Sequence, residues 1–184
     1  MNEVGDTGTL MYVRKVSTST KEATMAIKVG DPVPDVEVRV MTPQGPRTER
    51  TGELLAGPKV VLFAVPGAFT PTCSDHHLPG FVLRAPELRA KGVTTIACIA
   101  VNDAFVMGAW GKDRGVGDEI LMLADGNGDF TREMGLELDG SGFGLGTRSQ
   151  RYAATIENGV ITALQVEKGP GIEASSAEAV LALL

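Results

Sequence analysis

One of the two cysteines in this chain lies where a reactive thiol is commonly found. Cys73 follows an apolar run at residues 60–65, typical of a strand buried on both faces, and precedes a helical spacing of apolar side chains that continues to Lys91. At a helix start, unpaired backbone N–H groups and the positive end of the helix dipole favour the thiolate form of a cysteine. The position therefore predicts a nucleophile. On placement alone, a small buried apolar residue is an equally good interpretation.

The loop before Cys73 carries side chains that could assist such a nucleophile. Thr70 could donate its hydroxyl to the sulfur, and Pro66 stiffens the loop and excludes water. Cys73, His76 and His77 have a spacing that a metal site could use, but a closed zinc site needs four ligands. Because the sequence offers no further cluster of cysteine and histidine, we predict no bound metal.

The elements that must position this loop can be read from hydrophobic spacing and turn residues. Asn158-Gly159 predicts a two-residue hairpin turn, and Pro79-Gly80 should kink or divide the helix that follows Cys73. Ser175 with Glu178 forms a possible capping box for a C-terminal helix. The predicted strands cover residues 36–40, 60–65, 94–101, 120–124, 152–157 and 160–166. Two further helices are predicted, one from the N-cap Asp103 through Trp110 and one over residues 130–136. Loops are predicted after the first strand and over residues 138–147.

This order predicts an α/β fold of one domain. Crossover connections favour parallel pairing of the strands at 60–65, 94–101 and 120–124, and the hairpin adds antiparallel strands. The result resembles a thioredoxin-like fold with a mixed central sheet flanked by helices. We expect residues 27–184 to form this domain and residues 1–26, which are rich in serine and threonine, to be a disordered N-terminal extension.

Composition excludes several classes of function. The formal net charge is −6 and basic residues are scattered, which argues against nucleic acid and anionic membranes as partners. No stretch reaches the roughly 20 apolar residues of a membrane-spanning helix. Two cysteines alone fit a reducing compartment, so we predict a cytoplasmic location. Residues 1–26 lack an apolar signal core, and a cleaved organelle-targeting peptide is the alternative interpretation.

The residues around Cys73 also form a longer recognisable pattern. The stretch PGAFTPTCS at residues 66–74, followed by HLPGF at 77–81, closely resembles the peroxidatic signature of the peroxiredoxin family, in its atypical type-II, peroxiredoxin-5-like branch. Further matches are CIAVNDAFV at residues 98–106 and RSQRYA at 148–153. The resemblance extends from about Ile27 to the C-terminus.

This resemblance implies a thiol peroxidase that reduces hydrogen peroxide and organic hydroperoxides through a cysteine sulfenic acid. By position, Cys73 is similar to the peroxidatic nucleophile, Thr70 to the hydroxyl beside it, Pro66 to the shielding proline and Arg151 to the cation that completes the pocket. Arg148 is a nearby competitor for the role of Arg151. The family implies no prosthetic cofactor.

The resemblance also implies how the thiol is regenerated. Many members of this branch carry a resolving cysteine near the C-terminus, where this chain has Ala174. Cys98 could resolve the oxidised Cys73, but its apolar strand favours a buried, inert thiol. We therefore expect a one-cysteine cycle in which glutathione, with or without glutaredoxin, or thioredoxin acts as reductant.

Similar proteins use apolar residues near the peroxidatic loop to form a dimer face. Phe69, Trp110 and Phe143 are the candidates, although for each of them the core is the safer expectation. We predict a homodimer.

Two rival functions belong to other classes. A thioredoxin-like disulfide oxidoreductase needs a second cysteine at position 76, which is His76 here. A redox-sensing or chaperone-like binding module, in which oxidation of Cys73 remodels a partner surface, would react slowly with peroxide and bind a partner strongly. The combination of Pro66, Thr70, Cys73 and Arg151 favours catalysis over both.

Overall fold

A mixed seven-stranded sheet organises residues 26–184, the part of the chain that the computed structural model describes. The predicted N-terminal extension at residues 1–26 lies, except for Ala26, outside the described residues, so its disorder stays a prediction. Within residues 26–184 the strands are β1 Glu37–Thr42, β2 Gly45–Arg50, β3 Val60–Ala64, β4 Thr95–Ala100, β5 Leu121–Ala124, β6 Glu137–Asp139, β7 Thr147–Ser149, β8 Tyr152–Glu157 and β9 Val160–Val166.

The helices of the same region connect these strands or cover the sheet. They are α1 Thr51–Leu54, a π-helical turn Cys73–His77 that continues into α2 Leu78–Ala90, α3 Ala104–Asp113, α4 Asp129–Glu133, a 3-10 turn Ser141–Phe143 and α5 Ala177–Leu183. The predicted division of the first long helix is therefore a change from π to α geometry at Leu78, directly before Pro79. None of the described helices is long and apolar enough to cross a membrane.

The strands of the main sheet follow the order β2-β1-β5-β4-β3-β8-β9. β3, β4 and β5 pair in parallel, whereas β1, β8 and β9 join with antiparallel pairing. This arrangement confirms the predicted thioredoxin-like α/β fold. A separate pair of antiparallel strands, β6 and β7, lies within and beside the glycine-rich segment that the sequence predicted as a loop.

Alternate residues of β3 supply two hydrophobic cores, one on each face of the sheet. Phe63 faces the core that contains Phe81 and Trp110, and Leu62 faces the core that contains Phe130 and Tyr152. All six side chains are fully buried. Because β3 is apolar on both faces, it can lie in the centre of the sheet, and its carboxyl end delivers the loop that precedes Cys73.

Strand β2 was not predicted from the sequence, which suggested a loop after β1. Its six residues include Pro46, Arg47 and Glu49, and most of them are exposed. β2 forms the edge of the sheet, where proline and charged side chains are tolerated because no further strand must pair. A polar edge strand lacks the apolar alternation that sequence prediction depends on.

The hairpin turn was predicted correctly, but the C-terminal helix cap was not. Asn158 and Gly159 have φ values of 51° and 79°, as a type I′ turn requires, and they join β8 to β9. The N-cap of α5 is Ser176, whose Oγ accepts a hydrogen bond from the N–H of Ala179 at 3.1 Å. Ser175, the predicted cap, is fully buried and bonded to residues distant in the chain.

Candidate active site

Cys73 lies in the first turn of the helix that follows β3, as predicted. Pro71 and Thr72 already have helical geometry, and the N–H of Ser74 donates to the carbonyl of Thr70 at 3.0 Å. The five residues from Cys73 to His77 form a π-helical turn. This geometry is rare in proteins overall, and where it does occur it is often at a functional site. The thiol of Cys73 is 0% exposed, so it is held inside the protein.

The loop between β3 and Cys73 is fixed by tertiary contacts. The N–H of Ala68 donates to Asn102 Oδ1 at 3.0 Å, which ties the loop to the end of β4. Phe69 has a φ of 62°, a left-handed conformation that a bulky side chain adopts only under constraint. Such strained residues concentrate at functional sites.

Arg151 contacts the sulfur of Cys73 directly. Its Nη2 donates to Cys73 Sγ at 3.3 Å, and its Nη1 donates to His77 Nδ1 at 3.0 Å. Arg151 stands immediately before β8, which pairs with β3, so the sheet itself brings the guanidinium to the helix start. Only 8% of Arg151 is exposed. The fold therefore places a fixed positive charge directly at the sulfur.

Arg148, the competing cation, is bonded elsewhere. Its Nε donates to the carbonyl of Leu145 at 2.8 Å and its Nη1 to the carbonyl of Val101 at 3.1 Å. These bonds tie the glycine-rich loop to the end of β4. Of the two arginines, Arg151 is thus the one that the fold places on the sulfur.

Thr70 and Pro66 both lie in the loop, but neither contacts the sulfur through a hydrogen bond. The hydroxyl of Thr70 donates to the carbonyl of Gly67 at 2.8 Å, so its single proton is used within the loop and not on Cys73. Pro66 follows β3 and is half-buried.

His77 is a buried neutral base whose tautomer follows from its partners. Since Arg151 can only donate, His77 Nδ1 must accept, and the Nε2–H group donates to the carbonyl of Ser175 at 2.9 Å. The ring lies beside Phe63 and Phe81, with centroid distances of 5.1 and 5.6 Å. Burial, with a smaller contribution from the positive charge of Arg151, outweighs the raising effect of the Ser175 hydrogen bond and lowers the pKa of His77 from 6.5 to about 4. His77 therefore carries no charge at neutral pH.

A carboxylate lies behind Ser175. Glu167 Oε1 accepts hydrogen bonds from the backbone N–H of Ser175 at 2.7 Å and from its hydroxyl at 2.8 Å. Burial raises the pKa of Glu167, but the hydrogen bonds from Ser175 and Glu173 outweigh burial and hold the pKa below its ordinary value. A continuous chain of hydrogen bonds thus runs from Glu167 through Ser175, His77 and Arg151 to Cys73. Sequence reasoning assigned Ser175 only to a helix cap and did not single out Glu167, because the bond from His77 to Ser175 joins residues 98 positions apart.

On its other side, the helix start is held by Trp110. The indole Nε1–H of this fully buried side chain donates to Ser74 Oγ at 3.0 Å.

The expectation that the aromatic side chains lie in the core is confirmed for Trp110. It is wrong for Phe69 and Phe143, which are 51% and 86% exposed. Phe69 lies in the loop before Cys73, and Phe143 ends the 3-10 turn of the glycine-rich segment. His76 is exposed.

Cys98 lies in the middle of β4, between Phe63 of β3 and Met122 of β5. It is fully buried in the core that also contains Cys73, and both thiols are free. Burial raises the pKa of Cys98 well above its ordinary value, the neighbouring Cys73 raises it further, and Arg151 opposes the shift. Cys98 therefore remains a protonated thiol.

Taken together, the arrangement offers one thiol that accepts a hydrogen bond from a buried cation. A thiolate here can attack an electrophilic atom, and Arg151 can stabilise negative charge that develops on the departing group. In the described part of the chain, no three histidine, cysteine or acidic side chains are placed to hold a metal ion.

Comparison with known proteins identifies the family. A family model described as Redoxin matches residues 28–181. The chain is 51% identical to peroxiredoxin-2E, chloroplastic, of Arabidopsis thaliana over 172 residues, which cover 91% of this chain and 74% of that protein. It is similar to the crystal structure of reduced Prx3 in complex with hydrogen peroxide from Vibrio vulnificus, with 53% identity, a TM-score of 0.81 and coverage of 85% and 98% of the two chains.

A more distant relative shares the same fold. The chain is 30% identical to the Plasmodium falciparum antioxidant protein, described as a 1-Cys peroxiredoxin, with a TM-score of 0.78 and coverage of 84% and 96%. Similarity at these levels, over most of both chains, identifies the family of this chain. The chain belongs to the Redoxin family and, within it, to the peroxiredoxins, so that it is a thiol peroxidase.

Proposed function

We propose that Cys73 is the peroxidatic nucleophile of this peroxiredoxin and that Arg151 activates it. The observation that carries the proposal is the 3.3 Å hydrogen bond from Arg151 Nη2 to Cys73 Sγ. An arginine stays protonated and presents several donors in a fixed fork, so one N–H group can hold the sulfur while another holds a peroxide oxygen.

In the proposed step, the Cys73 thiolate attacks one peroxide oxygen in line with the O–O bond. The S–O bond forms as the O–O bond breaks, and the sulfur is oxidised to sulfenic acid. The other oxygen leaves with the electron pair and takes a proton from water, which gives an alcohol or, from hydrogen peroxide, water. Arg151 and the backbone N–H groups of the helix start stabilise the charge on that leaving oxygen.

Thr70 and Pro66 shape the place where the peroxide binds. Because Thr70 Oγ1 gives its own proton to Gly67, its lone pairs are left to accept the O–H of the peroxide and orient it. Pro66 has no N–H group and limits the access of water at the end of β3. Hydrogen peroxide and organic hydroperoxides are the proposed substrates.

The thiol is regenerated in a one-cysteine cycle. Ala174 cannot form a disulfide, and Cys98 is enclosed in the central sheet, so an external thiol attacks the sulfenic acid, releases water and leaves a mixed disulfide. A second thiol then frees Cys73. We propose glutathione, with or without glutaredoxin, or thioredoxin as the reductant, as in the atypical type-II branch. A 1-Cys peroxiredoxin among the structural relatives supports this cycle.

The test is quenched-flow oxidation of the reduced protein by hydrogen peroxide, with mass spectrometry of the product. We expect oxidation much faster than that of a free thiol, a sulfenic acid on Cys73, and a glutathione adduct once glutathione is added. A disulfide between Cys73 and Cys98 would contradict the one-cysteine cycle. Oxidation as slow as that of a free thiol would contradict the peroxidatic role and support the redox-sensing module.

We further propose that the protein is a homodimer. Phe69, Phe105 and Phe143 are 51%, 65% and 86% exposed, and exposed aromatic side chains of this size are enriched at protein interfaces. Phe105 belongs to the first turn of α3, the helix that also carries Trp110. Sedimentation equilibrium of the wild-type chain should give twice the monomer mass, and a monomer at micromolar concentration would contradict the proposal.

For the cellular location, the cytoplasm is the prediction from the sequence, and a plastid is the competing proposal. Two relatives, from Arabidopsis thaliana and Oryza sativa, are named chloroplastic, which supports the plastid. Cell fractionation of the full chain and of a chain that begins at Met25 separates the two: a change of compartment upon removal of residues 1–24 supports targeting.

A further inference from the structure

We infer that Glu167 and Ser175 are positioning residues for Arg151, and that they act on it through His77. The inference rests on the proposed function, because it assigns a purpose to residues that support the proposed activating cation. Neither residue touches Cys73. Both lie on the segment that follows β9 and leads into α5, far along the chain from the peroxidatic loop.

Glu167 fixes the path of this segment. Its Oε1 accepts from the N–H groups of Ser175 and Glu173 at 2.7 and 2.8 Å and from the Ser175 hydroxyl at 2.8 Å. The N–H of Glu167 itself donates to the carbonyl of Arg151 at 2.9 Å. One residue therefore holds both the backbone of Arg151 and the backbone of Ser175.

Ser175 passes this constraint to the imidazole of His77. Its carbonyl accepts the Nε2–H group of His77 at 2.9 Å, which leaves Nδ1 as the unprotonated nitrogen that faces Arg151. Without a fixed carbonyl at this point, the neutral ring could adopt the other tautomer. An Nδ1–H group would then face an N–H group of Arg151, and two donors repel each other.

The direction of the guanidinium depends on this contact. Arg151 has its Nη1 on His77 and its Nη2 on Cys73, so the planar fork is aimed by two bonds at once. If the bond to His77 is lost, the guanidinium is free to rotate and no longer holds a fixed position at Cys73. Misplacement of a reacting or stabilising group by about 1 Å can slow a reaction on the order of 10²-fold.

A purely structural role for Ser175 is the competing explanation, and Ser176 provides the comparison. Ser176 caps α5 through a bond to Ala179, so the helix start does not need Ser175 for this purpose. Ser175 is 0% exposed and makes its bonds to Glu167 and His77 instead. Its contacts lead to the active site and not along the helix.

The experiment compares five full-length proteins: wild type, Glu167→Ala, Glu167→Gln, and the controls Ser176→Ala and Glu178→Gln. Glu178 is an exposed carboxylate that pairs with Arg84 at the protein surface, so its replacement tests the loss of charge alone. We measure the second-order rate of Cys73 oxidation by hydrogen peroxide at neutral pH, and the protonation state of each His77 nitrogen by 15N NMR.

For wild type and both controls we expect the same rate and a His77 that is protonated on Nε2 only. Glu167→Ala should be oxidised on the order of 10-fold more slowly, with a mixture of His77 tautomers, because the Ser175 carbonyl is no longer fixed. Glu167→Gln, which keeps one acceptor oxygen, should fall between wild type and Glu167→Ala.

Two outcomes overturn the inference. One is a Glu167→Ala protein with wild-type rate and a single His77 tautomer. The other is equal slowing in Ser176→Ala, which would show that general loosening of α5 explains the effect. If Glu167→Ala does not fold, the same criteria apply to Glu167→Gln. Slow oxidation of the wild-type protein itself would instead contradict the proposed function, so the two failures are distinguishable.

Discussion

Cys73 and Cys98 are both fully buried in the same hydrophobic core, yet their surroundings differ. Cys73 begins a helix and accepts a hydrogen bond from Arg151, whereas Cys98 lies inside β4 with a strand on each side. Burial alone therefore does not decide the chemistry of a thiol. Under the proposed function, the deciding difference is the cation that the fold supplies at the sulfur of Cys73.

The strongest test of this comparison replaces each sulfur in turn. Cys73→Ser should abolish peroxidase activity, because a serine hydroxyl is not ionised at neutral pH, and should leave the fold intact. Cys98→Ser should keep the activity. Steady-state consumption of hydrogen peroxide with glutathione as reductant measures both, and circular dichroism checks the fold. Activity that survives in Cys73→Ser would remove Cys73 from the mechanism.

The second test removes the cation that distinguishes the two thiols. Arg151→Gln should slow oxidation of Cys73 by about 10² to 10³-fold, the range seen when one donor to a developing anion is lost. Arg148→Gln is the matched control, since Arg148 bonds to backbone carbonyls and not to the sulfur. Stopped reactions analysed by mass spectrometry give both rates. A larger loss in Arg148→Gln would reverse the assignment.

A third test uses pH, because the buried His77 bonds to the same arginine that contacts Cys73. The pKa of His77 is about 4 in the folded protein against an ordinary value of 6.5, so between these pH values the unfolded chain binds more protons. The resulting stability, about 3 kcal/mol, is fully present above pH 6.5 and is lost as the pH falls towards 4.

Urea unfolding at pH 7 and pH 4.5 measures this loss in wild type and in His77→Gln. The variant should lose less stability than wild type over the same interval, because the buried imidazole that must accept a proton is absent. Equal losses in the two proteins would show that His77 does not titrate as its surroundings indicate.

The smallest effect is expected for the replacement of Cys98. Cys98→Ala removes one buried sulfur atom and should lower the free energy of unfolding by about 1 kcal/mol without changing the oxidation rate of Cys73. Urea unfolding and quenched-flow oxidation measure the two quantities. A slower oxidation in this variant would mean that Cys98 takes part in the chemistry.

Features encoded within a short stretch could be predicted from the sequence. The apolar run at residues 60–65 became the central strand β3, Cys73 was placed at a helix start, and Asn158-Gly159 formed the predicted turn. In each case the signal and its structural result lie within a few residues of each other. The thioredoxin-like order of elements followed from these local signals.

Features that depend on long-range pairing could not be predicted. Arg148 lies in β7 and Arg151 immediately before β8. The family resemblance favoured Arg151, but only the pairing of β8 with β3 shows which of the two reaches the sulfur. The cap of α5 was assigned to Ser175 because sequence spacing cannot show that Glu167 and His77 already bind this residue. The edge strand β2 contains no buried residue, so its sequence lacks the alternation of apolar and polar residues that predicts a strand.

The hydrogen bond from Trp110 to Ser74 has an optical consequence. This chain contains a single tryptophan, so its indole emission arises from one site, and that site is bonded to the residue directly after Cys73. If the helix start leaves its place when a large thiol reductant reaches the buried sulfur, the indole loses its partner and its emission changes. The single indole is thus placed to report such a movement without an attached dye.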